Sequence, residues 1–532
     1  MNSGGIHQIE LILILLLIFV VGLGTLAQRV KTPYPIVMVI GGLALSLIPG
    51  MPHVMLSPNL VFFIILPPLL FSAAWETSWR DFRYHLVSIL LLAFGLVGFT
   101  VAGVSIIANW LIPGFDWRLG LVLGAVIATT DAIAATSIAQ RLGLPESITQ
   151  ILEGESLVND ASGLLALEVT VAFIVSGHTP TMAEESVRLL YLVFGGIGIG
   201  LLLAKIVFFF ESRIDYAPIE IIVSIVTPFI AYLSAESAHS SGVLAAVASG
   251  LYLGRHSSVL QSSVVRIEAR AAWNTLTYVL NGLVFVLIGL QLPYVLKSIH
   301  GVSRGELLTN AAQITVAVIF LRLLWVFPTA YVAYFIRAHL FKQSFPVPSP
   351  KGVFVIAWTG MRGVVALAAA TSLPETLANG SPFPQRNMIL FLTFWVIFVT
   401  LVLQGLTLPT LIRWLGLSSP SQIDSEERTA RRKMIQAALA RLDSLRPEDE
   451  AENREIYDDV ARLYHRRRAA LEEDQKESEA SIEHQERYRT ITNQLREAER
   501  ATVLELRDRN EISDAALRRI ERELDLLDAR FQ

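Results

Sequence analysis

About thirteen apolar stretches follow one another with short links through the first 413 residues: 8–28, 33–49, 57–75, 85–112, 119–141, 148–177, 187–211, 217–236, 241–254, 272–292, 307–336, 351–373 and 386–413. Crossing a bilayer takes roughly 20 apolar residues in a helix. Hydrocarbon offers no partner for a free backbone N–H or C=O, so each stretch has to close its hydrogen bonds internally. The pattern predicts an all-α polytopic membrane protein. Charge content agrees, since 17% of the 532 residues are charged against about 25% in a soluble domain. Two stretches depart from the norm: 241–254 is short and rich in small residues, and 57–75 is interrupted by Pro67 and Pro68. Met1–His7 has no basic flank, so the run Leu11–Leu26 reads as a retained first span rather than a cleaved signal. Near Trp414 the chain turns Arg/Glu-rich and no run of spanning length remains. This divides it into a membrane domain, 1–415, and a cytosolic helical region, 416–532.

Basic residues in the links set the orientation. Alternate links hold Arg29, Lys31, Arg80, Arg83, Arg141, Arg213, Arg255, Arg266, Arg270, Arg337, Lys342 and Lys351, twelve in all. The other set holds only Arg118, Arg188, Lys297, Arg304 and Arg386. Positive charge stays on the cytoplasmic side, so the N-terminus is expected outside and the charged tail inside a plasma (bacterial inner) membrane. A miscounted span would scramble this alternation. Net charge is −4 and there is no cysteine. The first gives no ground for a nucleic-acid partner, and the second excludes disulfides, thiol chemistry and cysteine metal sites. No phosphate-binding glycine loop or His-rich metal spacing stands out, so neither an enzyme nor a cofactor is expected.

Two spans carry polar residues where hydrocarbon is thickest. One is Gly124–Ala135, with Thr129, Thr130 and Asp131; the other is Ala357–Val365, with Gly360, Arg362 and Gly363. Glycine and threonine alone would signify close helix packing. Asp131 and Arg362 point instead to interrupted helices at comparable places in two halves, the pattern of a transporter with an inverted repeat, its unwound backbone lining a cavity.

The mid-span ionisable groups are Asp131, Glu155, Asp160, Arg322 and Arg362. Each costs roughly 3 kcal/mol at the centre of a bilayer, so the set left unpaired would cost about as much as a whole domain's stability. Three acids against two bases leave one carboxylate without an arginine, the natural place for an exchangeable cation or proton. On a helix Glu155 and Asn159 share a face, as do Ser156 and Asp160. Glu155 with Arg322 reads as a structural salt bridge. Small hard cations prefer oxygen ligands, and Asp160, Asp131, Thr130 and Ser156 supply them as a site for a monovalent cation. Low dielectric favours the protonated form of a carboxylate and a neighbouring cation favours the ionised form. One group then carries either a proton or a cation, and that competition makes an exchanger. Glu76, Arg80, Asp81 and Arg83 read as a solvated link, Glu153 as an acid at the cytoplasmic funnel, and Glu220 and Glu236 as solvated span ends. Glu168 is expected to face a partner helix.

Thr130-Asp131, the run Gly154-Glu-Ser-Leu-Val-Asn-Asp160 and Gly360-Met-Arg-Gly363, together with Pro67-Pro68 in Phe62–Leu70, resemble signatures of the monovalent cation:proton antiporter 1 family, the sodium/proton exchangers. The resemblance covers about residues 10–415. It implies two crossing broken helices, a six-helix core moving against a dimerising domain, and a homodimer in the lipid bilayer. By the same resemblance Asp160 is the proton- and cation-exchanging carboxylate. Thr130, Asp131, Ser156 and Glu155 become ion-site oxygens or their supports, and Asn159 matches the asparagine of the electroneutral branch. Arg322 pairs with Glu155, and Arg362 offsets the converging helix ends and Asp131. Ala132 departs from the proline many members carry there. Because asparagine cannot carry a proton, Asn159 predicts one-for-one exchange.

The site oxygens do not fix ion size, so sodium, lithium and potassium all stay open as the cation exchanged for H+. A cation channel or sensor signalling through the tail is a third reading; it would favour a continuous pore helix and a carbonyl filter, and neither is evident. In the tail, Leu517, Ile520, Leu524, Leu527 and Phe531 are spaced as a heptad seam after Ser513 and Asp514, and Tyr457, Val460, Leu463 and Tyr464 form an earlier face. The region is expected to regulate the membrane domain or support dimerisation.

Overall fold

A computed structural model describes residues 3–48, 58, 60–175, 182–214, 216–297, 299, 302–342, 346–377, 380–417, 422–445 and 454–473, with scattered positions between 487 and 520. The described residues are almost entirely helical, and among them no strand forms beyond one isolated bridge, Thr376 to Pro382. In chain order the helices are α1 Ser3–Val30, α2 Tyr34–Ser46, α3 Leu66–Glu76, α4 Trp79–Leu90, α5 Val97–Leu111, α6 Trp117–Ala128, α7 Ile133–Leu142, α8 Glu146–Val175, α9 Met182–Glu211 and α10 Ala217–Ser237. They continue as α11 Gly242–Leu260, α12 Ser263–Lys297, α13 Arg304–Phe335, α14 Pro350–Trp358, α15 Val364–Thr371, α16 Arg386–Val399, α17 Gly405–Leu415, α18 Gln422–Leu445 and α19 Arg454–Glu473. The chain divides into two compact units, Met1–Ser419 and Pro420–Gln532.

Seven described helices are long and apolar enough to cross a membrane: Trp79–Leu111, Glu146–Val175, Val187–Glu211, Ala217–Ser237, Ser263–Leu296, Arg304–Leu340 and Arg386–Leu415. Helix ends follow ordinary capping chemistry. Ser78 caps α4, Asp116 caps α6, Ser241 caps α11, Ser303 caps α13 and Ser349 caps α14, each accepting a backbone N–H of the first turn. Gly143 closes α7 with φ 64°, a conformation cheap only for glycine. The Pro67–Pro68 pair does not break its span. It sits in the first turn of α3, where the missing N–H groups have no helical partner to lose, behind a widened π turn at Leu60–Ile65. The stretch around 241–254 is a full helix of 19 residues, longer than its apolar run.

Helices α4 and α5 join through a second π turn, Leu91–Leu96, which frees carbonyls from the helical ladder. Neighbouring helices take them up: Trp325 Nε1 donates to Leu91 O at 3.1 Å, and Ser162 Oγ donates to Ala93 O. Helices α2 and α12 cross closely, and glycine permits it. A Cβ on Gly42 would lie 2.2 Å from Val286 O, and one on Gly289 2.2 Å from Val39 O. This contact fixes α12 against the second half of α2. In the C-terminal unit α18 and α19 pack on each other, with Tyr457, Val460 and Tyr464 half-buried and Leu463 exposed. Ser513, Asp514, Leu524, Leu527 and Phe531 lie outside the described residues.

Candidate functional site

Both polar stretches are places where a span comes apart. Residues 129–132 separate α6 from α7, and residues 359–363 separate α14 from α15. Each break leaves a helix C-terminus with unpaired carbonyls and a helix N-terminus with unpaired N–H groups, and the two breaks meet. Asp131 N–H donates to Met361 O at 2.7 Å. Arg362 is buried and donates from Nε to Ile127 O at 3.2 Å, at the end of α6. From Nη1 it also donates to Gly360 O, past the end of α14. One guanidinium thus serves the negative ends of both half-helices.

Asp131 does the converse. Its Oδ1 accepts Ile133 N–H at 2.8 Å at the start of α7, and its carboxylate packs on Gly363, which precedes α15. A Cβ at Gly363 would fall 2.1 Å from Asp131 Oδ2, so only glycine admits the carboxylate. The break holds without proline at Ala132 because Ser156 satisfies it. Ser156 Oγ accepts Ala132 N–H at 3.3 Å and donates to Thr130 O at 2.9 Å.

Helix α8 runs past this crossing and shows it two faces. On one, Glu155 receives Arg322 through Nη1 at 2.5 Å and Nη2 at 2.8 Å, both residues being 1% exposed. Arg322 Nη2 also donates to Ile356 O at 3.0 Å. Thr130 Oγ1 donates to Glu155 Oε1 at 3.0 Å, and Asn159 Nδ2 donates to Thr130 Oγ1 at 2.5 Å. The Thr130 hydroxyl is therefore committed to the ion pair, and Asn159 closes the chain. On the other face, Ser156 and Asp160 line a cavity of about 440 Å3 together with Thr130 and Asp131. Asp160 is 7% exposed and has no arginine beside it among the described residues. Of the predicted site residues, the cavity brings together Asp160, Asp131, Thr130 and Ser156; Glu155, Asn159, Arg322 and Arg362 are not among its lining.

The cavity also holds groups that sequence reasoning assigned elsewhere or passed over. Glu76 is exposed, as expected, but it ends α3 instead of lying in a link, which shrinks to Thr77 and Ser78, and it lines the cavity with Glu153. Arg80, Asp81 and Arg83 belong to the first turns of α4. Glu220 is not solvated but 2% exposed, since α10 begins before it and packs against α9 and α11. Glu168 meets Arg188 of α9 in an exposed ion pair. Thr129 lines the cavity with its buried Oγ1 unpartnered. From α12 come Asn274, Thr277 and Asn281. Their spacing of three and four, in a span otherwise apolar around them, is a helical polar stripe that could have been read.

Comparison with known proteins bears on what such a crossing belongs to. Residues 14–414 match the family described as sodium/hydrogen exchanger, transmembrane. An uncharacterized Na+/H+ exchanger of Mycobacterium tuberculosis is 33% identical over 521 residues, 97% of this chain and 95% of that protein. A sodium, potassium, lithium and rubidium/H+ antiporter of Bacillus pumilus is 34% identical over 435 residues, 80% of this chain and 64% of that protein. The solved sodium proton antiporter of Methanocaldococcus jannaschii shares the fold with a TM-score of 0.62 at 20% identity, over 78% of this chain and all of that one. The chain belongs to the transmembrane sodium/hydrogen exchanger family, whose members are secondary transporters and not enzymes.

Proposed function

We propose that this protein exchanges Na+ or Li+ for H+, one for one, with cation and proton competing for Asp160. The observation that carries this reading is the contrast along α8: Glu155 is held by Arg322, whereas Asp160 faces a cavity beside Asp131 with no base next to it. A cation entering the cavity meets the Asp160 and Asp131 carboxylates, the Ser156 hydroxyl and the Thr130 main chain, the oxygen set a small hard cation favours. When the cation leaves, a proton restores neutrality on Asp160. Asn159 cannot bind a second proton, so each cycle moves no net charge.

Thirteen spans in inverted repeats fit this scheme: the seven helices named above, the apolar helices α1, α2, α3 and α11, and the two interrupted pairs α6/α7 and α14/α15. The N-terminus then lies outside, in keeping with the basic residues of alternate links. Exposed Leu190, Phe194, Phe209 and Phe210 of α9 and Ile222 of α10 give lipid or a second subunit an apolar face. Alternating access would move a six-helix core carrying the crossing against a dimerising domain in a homodimer, in the plasma membrane of a bacterium. Residues 1–415 would form the antiporter and 416–532 a cytosolic region that regulates it or supports the dimer. Deleting 420–532 should then change pH dependence or oligomeric state, read by transport assay and light scattering; no change in either ends that role.

Potassium is the second reading, favoured by the Bacillus relative whose name includes potassium and rubidium. The deciding experiment reconstitutes the protein in proteoliposomes and follows cation-driven proton movement with sodium, lithium and potassium. Asp160→Asn should reduce every trace to that of empty vesicles. Exchange that persists in this variant, or proton-independent cation flux in the parent, overturns the mechanism.

A further inference from the structure

The cavity is lined by more than the crossing and α8. Helix α12 adds a polar stripe to it: Asn274 is exposed, Thr277 half-buried and Asn281 buried at 5% exposure. Asn281 neighbours Tyr34 at the start of α2. Tyr34 and Tyr278 pack with ring centroids 5.2 Å apart, backing the asparagine. Through all this Asn281 Oδ1 accepts no hydrogen bond. A buried amide oxygen without a partner is costly and uncommon, and calls for an explanation.

We propose that Asn281 Oδ1 is a coordinating oxygen for the transported monovalent cation, contributed by α12 to the cavity that Asp160 and Asp131 line. This rests on the exchange function proposed above and adds a residue to its site. Three points carry it. The side chain lines the same cavity as both carboxylates. Its Oδ1 is buried and accepts no hydrogen bond, the free end of the amide. An amide oxygen is a hard, neutral donor of the kind small cations accept.

Neutrality gives this oxygen a distinct task. It stabilises the cation-loaded site but does not take up a proton, so it biases occupancy towards the cation without altering the one-for-one count. A residue acting this way sets the affinity for cation and leaves the affinity for proton where Asp160 puts it. It also comes from a helix outside both interrupted pairs, so the contact depends on how the crossing stands relative to α12.

The test uses full-length protein in proteoliposomes, with Na+, Li+ and K+ titrated at several pH values beside Asp160→Asn. Asn281→Leu keeps nearly the same volume and removes the oxygen; Asn281→Ala serves if leucine is not tolerated. The expected result is an apparent KM for Na+ about tenfold higher, the size of one lost polar contact, with the maximal rate and the proton inhibition constant near those of the parent. Asn281→Asp, which keeps an oxygen in place, should restore a low KM. The inference is overturned if the leucine or alanine variant leaves KM and the order of ions unchanged. It is equally overturned if KM and the proton constant move together, for the residue then acts through Asp160. A parent protein that moves no protons in response to any cation sinks the exchange function itself, a different outcome from either.

Discussion

Two carboxylates on α8, Glu155 and Asp160, are separated by five residues and so by about 140° around the helix. Both are buried, yet one is gripped by both terminal nitrogens of Arg322 and by the Thr130 hydroxyl, while the other faces a cavity beside a second acid. The first arrangement is rigid: a paired, hydrogen-bonded charge in low dielectric gains nothing by changing state. The second is a charge waiting for a counter-ion. Having both on one turn and a half of helix ties the mobile charge to a fixed reference. Thr130 and Ser156 then link that reference to the broken backbone at 129–132.

The largest expected effects should separate the two residues cleanly. Removing the arginine in Arg322→Leu strands Glu155 and should destabilise the protein by roughly 3–5 kcal/mol, read as an early unfolding transition by tryptophan fluorescence. Adding Glu155→Leu to it should recover most of that loss, because a dry apolar pair replaces a stranded charge. Asp160→Asn should do the opposite, abolishing exchange while the unfolding transition stays at or above that of the parent. If Asp160→Asn proves the more destabilising of the two, the division of labour is wrong.

Charge stoichiometry sharpens the contrast next. Asn159 belongs to the fixed face, donating to Thr130. Asn159→Asp would place a second titratable acid beside the first, and transport should become sensitive to membrane potential. A transport current in the parent that scales with potential at fixed pH gradient would contradict one-for-one exchange. Ser156→Ala should have the smallest effect. It removes the hydroxyl that bonds Ala132 N–H and Thr130 O, at about 1 kcal/mol, and should raise the apparent KM for cation modestly with exchange retained. An unchanged KM would mean that the break holds itself open without Ser156.

Much of this was legible before any coordinates. Hydropathy marked the spans, and the cost of charge in hydrocarbon singled out Asp131, Glu155, Asp160, Arg322 and Arg362. The i, i+4 rule separated Glu155 and Asn159 from Ser156 and Asp160, and the structure puts those two pairs on different surroundings. Other features were not legible, each for a local reason. Glu76 looked like a link residue because three charges follow it closely, yet α3 continues through it to the cavity. Glu220 looked solvated because it is near a span end, and the packing of α10 buries it. Asn281 is hard to single out because a neutral amide in an apolar span costs less than a charge, and its stripe with Asn274 and Thr277 says nothing of which neighbour it meets.

The sequence by itself determined that this chain must cross a membrane as helices, and that its mid-span acids outnumber its mid-span bases by one. Those conclusions need only composition, spacing and the free energy of transfer, all properties of single segments. Tertiary structure decided that Arg322 holds Glu155, that Arg362 serves backbone carbonyls, and that Asp131 and Asp160 are left together at the cavity. Arg322 reaches Glu155 across 167 positions of sequence and Asp131 bonds Met361 from the other break, and α12 presents Asn281 to the cavity only because Gly42 and Gly289 let it lie against α2. Partners so far apart in the chain leave no periodic trace, because hydropathy and helical period describe a segment's own faces and not the neighbour those faces will meet.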